Sequence, residues 1–125
     1  MSRPQFLIDT HVLLWAISGD QRLSPRHRDI LDAGEGLAVS VVSIWEIAIK
    51  RSTGKLTIDG DLLQVISSRA IPLLRIDEHH ATRVELLAHH HRDPFDRLLI
   101  AQAQVEKLSI LTADPAFARY DVALA

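Results

Sequence analysis

Cysteine is absent from this 125-residue chain. Disulfides, thiolate zinc sites and cysteine nucleophiles are therefore excluded, and the absence fits a reducing compartment such as the cytoplasm. Long apolar runs are missing as well. The most apolar stretch, Leu37–Ile49, contains Glu46 and is too short to cross a bilayer, so no membrane association is expected. Residues Met1–Gln5 lead straight into a short apolar run broken by Asp9, a pattern unlike a secretory signal. No internal repeat, low-complexity segment or linker divides the chain. One domain over residues 1–125 is expected, long enough to bury a core without staples. Positive charge is not in excess either: the net charge is −2, which by itself argues against a nucleic-acid partner.

What is present is an alternation of short apolar runs with helical patterns. Gln5–Asp9, Leu37–Val42, Pro72–Ile76, Ser109–Thr112 and Val122–Leu124 read as strands. Between them, helices are expected over Val12–Ile17, from Ser24-Pro25 to Gly34, over Ile44–Arg51, Asp59–Arg69 and Asp77–His90, and most clearly over Pro94–Lys107. Ala116–Arg119 has room for one further turn. Strands alternating with helices call for a parallel sheet covered on both faces, an α/β fold.

Acidic residues recur where these strands give way to helices. They occur in Phe6-Leu-Ile-Asp9, Ser43-Ile-Trp-Glu46, Asp93-Pro-Phe-Asp96-Arg97 and Thr112-Ala-Asp114-Pro. One such acid is a helix cap. Several are different, because the strand exits of a parallel sheet lie along one edge and carboxylates gathered there repel unless a cation sits among them. The charge balance changes accordingly. Setting aside Asp9, Glu46, Asp96 and Asp114 leaves 12 acids against 14 Lys and Arg, a mildly basic remainder that permits RNA.

Each candidate also has an ordinary structural reading. Asp9 alone would be a cap, although Thr10 can do the capping and leave Asp9 free. Ser43 and Glu46 fit a capping box, yet a carboxylate between Trp45 and Ile47 must face solvent or meet a specific partner. Asp93 before Pro94 is the expected N-cap, which puts Asp96 on the first turn, where the helix dipole favours an anion. Thr112 is placed to orient Asp114 or a water. The run His89-His90-His91 invites a zinc site, but consecutive helical residues point about 100° apart and cannot share one ion well. Only His91, beside the acids, is kept as a phosphate contact. Trp15 and Trp45 are expected in the core or against a partner rather than as base-stacking platforms.

The segments Phe6-Leu-Ile-Asp-Thr-His-Val-Leu-Leu-Trp15, Ser40-Val-Val-Ser-Ile-Trp-Glu-Ile-Ala-Ile-Lys50, His91-Arg-Asp-Pro-Phe-Asp-Arg-Leu-Leu-Ile-Ala-Gln-Ala103 and Leu111-Thr-Ala-Asp114 resemble the four acidic motifs of PIN-domain ribonucleases. More narrowly they resemble the VapC-type toxins of bacterial toxin–antitoxin pairs. The resemblance spans nearly the whole chain in the right order, and no motif acid is missing. It implies a three-layer α/β/α fold with a short parallel sheet of order 3-2-1-4-5. It also implies Mg²⁺, with Mn²⁺ as a substitute, endonucleolytic cleavage of RNA, a cognate antitoxin and a homodimer. By position Asp9, Glu46, Asp96 and Asp114 are the four acids. Asp9 and Asp96 are expected as direct ligands, with Glu46 and Asp114 acting through water or a second ion; all-oxygen ligands suit Mg²⁺ or Mn²⁺ rather than zinc. Thr10, Ser43, Asp93, His91, Arg97 and Thr112 are candidates for contacting substrate or orienting these groups. A haloacid-dehalogenase-type phosphatase would need a second Asp where His11 stands, and a receiver domain would need paired acids at the start. A non-catalytic module that keeps the fold and binds RNA or protein is the alternative from another class.

Overall fold

Short apolar segments flanked by polar residues suit strands buried on both faces. In the computed structural model, which describes residues 3–125, they form β1 (Phe6–Ile8), β2 (Leu37–Ser40), β3 (Leu73–Leu74) and β4 (Ser109–Leu111). Met1 and Ser2, the first residues of the expected 1–125 span, lie outside the described residues. All pairings are parallel and the order is β3-β2-β1-β4. Ile8 lies opposite both Val39 and Leu111, so the central strand ends level with its neighbours. The fifth strand expected over Val122–Leu124 is reduced to a single parallel bridge, Ile110 to Leu124, held by Ile110 N–H to Ala123 O (2.9 Å) and Ala125 N–H to Ile110 O (3.0 Å). It nonetheless occupies the outer position beside β4 that the expected order gave it.

Side chains alternate across the sheet and build two cores. Leu7 and Ile110 face one, with Leu99 and Ile100 of helix α6 (Pro94–Glu106) and Phe117. Ile8 and Leu111 face the other, with Val12 and Leu13 of α1 (Thr10–Ser18) and Ile66 of α4 (Leu62–Ser68). Leu7 and Ile8 are fully buried, which is worth roughly 1.5–3 kcal/mol for each side chain. Helix α3 (Val41–Ser52) sends Val42 to the first core and Ile47 to the second. The result is a three-layer α/β/α fold. Helix α2 (Pro25–Ala33) starts at Ser24 as expected, its Oγ accepting from His27 N–H. Beyond it, Gly36 has φ +68 and a Cβ there would lie 3.3 Å from Gln5 Cβ. Its carbonyl accepts from the N–H groups of Gln5 and Phe6, so the turn needs glycine on both counts.

Two expected boundaries move. The strand read over Leu37–Val42 stops at Ser40, whose Oγ accepts from Val42 N–H (3.0 Å) and donates to Gln102 Oε1 (2.6 Å). Ser40 is therefore the cap of α3, and Ser43 lies inside the helix. The helix read over Asp77–His90 is shorter: α5 (Glu78–Arg83) tightens to a 3-10 turn at Val84–Leu86 and stops at Leu87. The reason is distant in sequence. Arg97, buried in α6, donates from Nη1 to Ala88 O (2.8 Å) and from Nη2 to Val84 O (3.3 Å) and Leu87 O (3.4 Å), satisfying carbonyls that continued helix would otherwise use.

Candidate active site

Asp9 immediately follows β1 and is buried. It caps α1 itself: Oδ1 accepts from Val12 N–H (2.8 Å), while Thr10, read as the cap, donates its hydroxyl to Ser43 Oγ (2.9 Å) and so ties α1 to α3. Its second oxygen, Oδ2, accepts from Thr112 Oγ1 (2.5 Å). Burial holds the Asp9 carboxyl above its ordinary range, against the hydrogen bonds from Thr112 and Val12. Asp9 thus serves as cap and as strand-exit acid together, a combination that the sequence reading had treated as a choice.

Glu46 sits one helical turn into α3 and is buried. With Ser43 inside the helix, no capping box forms. Its Oε2 meets Lys50 Nζ at 2.9 Å, and its Oε1 has no hydrogen-bond partner. A buried carboxylate oxygen without a partner is costly. Lys50 escaped the sequence reading, although an acid followed four residues later by a lysine on a helix is a recognised pairing signal.

Asp96 lies on the first turn of α6, behind Pro94, with Asp93 as N-cap: Asp93 Oδ1 accepts from Phe95 N–H (2.8 Å) and Asp96 N–H (3.3 Å). Burial pushes the Asp96 carboxyl up to about 7, reinforced by the negative charges of Asp93, Glu46 and Asp9 and opposed by His91. The helix N-terminus was expected to keep this acid ionised; desolvation and like charge outweigh the dipole. Asp114 caps the 3-10 turn Pro115–Arg119 through Ala116 N–H (2.9 Å) and is half-exposed. Thr112 Oγ1, which donates to Asp9, also accepts from Asp114 N–H (3.1 Å), so one hydroxyl fixes two acids.

His91 does not stand free toward solvent. Its Nε2 lies 2.9 Å from Asp96 Oδ2 and 3.2 Å from Asp114 Oδ2. These three groups bring their ligand atoms within 4.8 Å of one another, as a metal site would. Nδ1, however, accepts from Asp93 N–H (3.2 Å), which leaves the ring proton on Nε2. In this arrangement His91 is a hydrogen-bond donor to the acids and not a ligand. Tyr120 holds it there, its hydroxyl accepting from His90 N–H (3.1 Å) and His91 N–H (2.8 Å). Tyr120, six residues beyond Asp114, lies outside the four motifs and gave no signal in the sequence. Arg97 also points inward, toward Tyr120 Oη (3.3 Å) and the carbonyls of residues 84–88. Its reach to the site is indirect, through the segment that carries His91.

The arrangement fits a divalent cation. The acids supply oxygen donors, Glu46 Oε1 lacks a partner, and Asp96 resists ionisation because it is buried and other carboxylates surround it. A cation would relieve both conditions. Among the described residues no helix is long and apolar enough to cross a membrane.

Comparison with known proteins bears on the fold and the family. A search of curated proteins returned no match. Among solved structures, the chain is similar to one from DNA-bound VapBC of Salmonella typhimurium (16% identity, TM-score 0.72, covering 97% of this chain and 96% of that one). It is also similar to chains of VapBC2 from Rickettsia felis bound to a promoter DNA fragment (13%, 0.67, 96% and 96%) and of FitAcB from Neisseria gonorrhoeae (20%, 0.66, 96% and 96%). At these identities the likeness is one of fold. The family model of the PIN domain matches residues 6–123, and the chain therefore belongs to the PIN-domain family.

Proposed function

We propose that this protein is a divalent-metal-dependent endoribonuclease of the VapC type, the toxin of a toxin–antitoxin pair. The single observation that carries the reading is the unpartnered, buried Glu46 Oε1 beside an Asp96 carboxyl held at about 7. Such a site is electrostatically incomplete, and metal-dependent nuclease chemistry, which the resemblance to PIN-domain ribonucleases implies, would supply the reason. Asp9 and Asp96 are assigned as direct ligands, with Glu46 and Asp114 acting through water or a second ion. Oxygen donors favour Mg²⁺, with Mn²⁺ able to substitute. When bound, the ion supplies a water of lowered pKa and neutralises charge developing on the scissile phosphate. Thr112 fixes the free oxygen of Asp9 and the backbone of Asp114. His91 holds a proton on Nε2 between Asp96 and Asp114 and sets their spacing.

The antitoxin, the homodimer and a cytoplasmic location belong to the same proposal. The antitoxin is supported by a structural neighbour from Klebsiella pneumoniae that is a toxin–antitoxin complex, and a partner surface by apolar side chains on α3. Trp45 is 54% exposed, packed edge-on against Phe95 (5.0 Å), with Ile49 exposed one turn on. Apolar surface of this kind marks partner sites. The deciding experiment is cleavage of RNA by pure protein. EDTA should abolish it, Mg²⁺ or Mn²⁺ should restore it, and Asp9→Asn or Asp96→Asn should remove most of it. Cleavage that persists in EDTA, or an Asp96→Asn protein as active as wild type in matched metal, would defeat the assignment.

A further inference from the structure

Beside the acids, α1, the C-terminal half of α3 and the loop after it enclose an open cleft of about 410 Å³. Its floor is apolar, formed by the partly buried Leu14, Trp15, Leu56 and Ile58. Its rim is basic: His11, Arg22, Lys50 and Lys55 line it, with Asp20 the one acid among its lining residues. The Arg22 guanidinium lies 5.1 Å from the centre of the Trp15 ring and is pinned by Asp20 at 2.7 Å. The floor and rim therefore meet in a fixed cation–aromatic platform. The cleft opens onto the acidic site at two points. Lys50 pairs with Glu46 at 2.9 Å, and His11 is close enough to Asp9 to stabilise its charge.

We propose that this cleft holds a nucleotide of single-stranded RNA next to the scissile phosphate, so that Lys50 and Lys55 take flanking phosphates and the Arg22–Trp15 platform takes an unpaired base. The inference rests on the ribonuclease reading and deepens it. An apolar floor under a basic rim matches a strand whose bases are splayed and whose backbone is anionic. A base-paired duplex would hide the faces that the floor contacts. The cleft volume lies within the range of small-molecule sites. The Trp15 role differs from the core or partner-packing role expected from sequence, and the pinned Arg22 is what distinguishes it.

Two measurements separate this proposal from the reading beneath it. Cleavage of RNA by the wild-type protein in Mn²⁺ tests the reading alone. The cleft is tested with an Asp96→Asn, Trp45→Phe protein, which leaves Trp15 as the sole tryptophan and is expected to hold RNA uncut. Titration with a fluorescein-labelled single-stranded RNA of roughly 12 nucleotides should quench Trp15 emission as anisotropy rises. Adding Lys55→Glu should weaken binding about fivefold at low salt and flatten the salt dependence. Lys107→Glu, at the far end of α6, should change affinity by less than about twofold. Bound RNA that leaves Trp15 emission unchanged, or Lys55→Glu that binds as its parent does, overturns the cleft while leaving the nuclease reading standing. RNA that fails to bind the uncut-holding protein, although wild type cleaves it, overturns it as well. If Trp15 responds only to a co-expressed antitoxin, the cleft belongs to that protein and the proposal falls.

Discussion

Removing the charge of Asp96 should stabilise the metal-free protein, although it should disable the site. The carboxyl stands at about 7 against an ordinary 3.8, so the folded protein binds a proton more tightly there than the unfolded chain does. The stability this contributes is complete below the unfolded value and is lost as pH rises from about 4 through about 7. About three pKa units at ~1.4 kcal/mol each set a ceiling of about 4 kcal/mol. Burial contributes most of the shift, the charges of Asp93, Glu46 and Asp9 add to it, and the site can relax around the charge, so about half of that is the expected yield. In EDTA at pH 8, Asp96→Asn should therefore unfold about 6 °C above wild type, taking a few degrees per kcal/mol for a domain of this size. At pH 5 the gap should shrink to less than half, because the folded Asp96 is then protonated while the unfolded one is not, and below about pH 4 the two should melt together. Saturating Mn²⁺ should stabilise wild type and close the gap, by about 2.7 kcal/mol at a hundred times Kd. Thermal scans of both proteins at three pH values, with and without metal, are sufficient. A gap independent of pH, or an Asp96→Asn protein less stable than wild type at pH 8 in EDTA, would refute the electrostatic argument.

Other substitutions test other joints of the site. Thr112→Val removes the hydroxyl shared by Asp9 and Asp114 and should lower cleavage and Mn²⁺ affinity, read by calorimetry, on the order of tenfold with a much smaller effect on Tm. Arg97→Met removes the side-chain donor to the carbonyls of Leu87 and Ala88, with Val84 O keeping Leu87 N–H, and should cost about 3 kcal/mol in urea unfolding; a loss below about 1 kcal/mol would contradict the role given to it. Trp45→Asp should turn a dimer into a monomer by sedimentation at micromolar concentration while leaving the circular dichroism spectrum intact, and an unchanged mass would remove α3 from the proposed dimer surface.

The parts of this fold that were legible in the sequence are those determined over a few residues. Short apolar runs marked the strands, and Asp93-Pro94 marked the start of α6. The strand order came from the family resemblance rather than from the pattern. What escaped was decided by partners far along the chain. Ser40 and Ser43 both precede apolar helix, and β-branched Val41 and Val42 look like strand; the choice of Ser40 is reinforced by Gln102. Thr10 looked like a cap because its true partner, Ser43, is 33 residues away. The early end of α5 depends on Arg97, and the placing of His91 on Tyr120. Charge on Asp96 depends first on its burial, which only the assembled fold determines, then on Asp93 beside it, and least on the distant Glu46 and Asp9.

Between Leu87 and Asp93 the chain forms neither helix nor strand. Yet its first two carbonyls, of Leu87 and Ala88, are held by Arg97 and two of its N–H groups by Tyr120. Irregular backbone is commonly equated with pliable backbone, and here the two separate. The amides of His90 and His91 should exchange with solvent only when α6 and the end of the chain come apart, at rates close to those of whole-molecule opening. A segment clamped in this way behaves as a spacer of fixed length between the 3-10 turn and α6. It sets where His91 stands between Asp96 and Asp114 by two polar anchors, independently of how long the neighbouring helices happen to be.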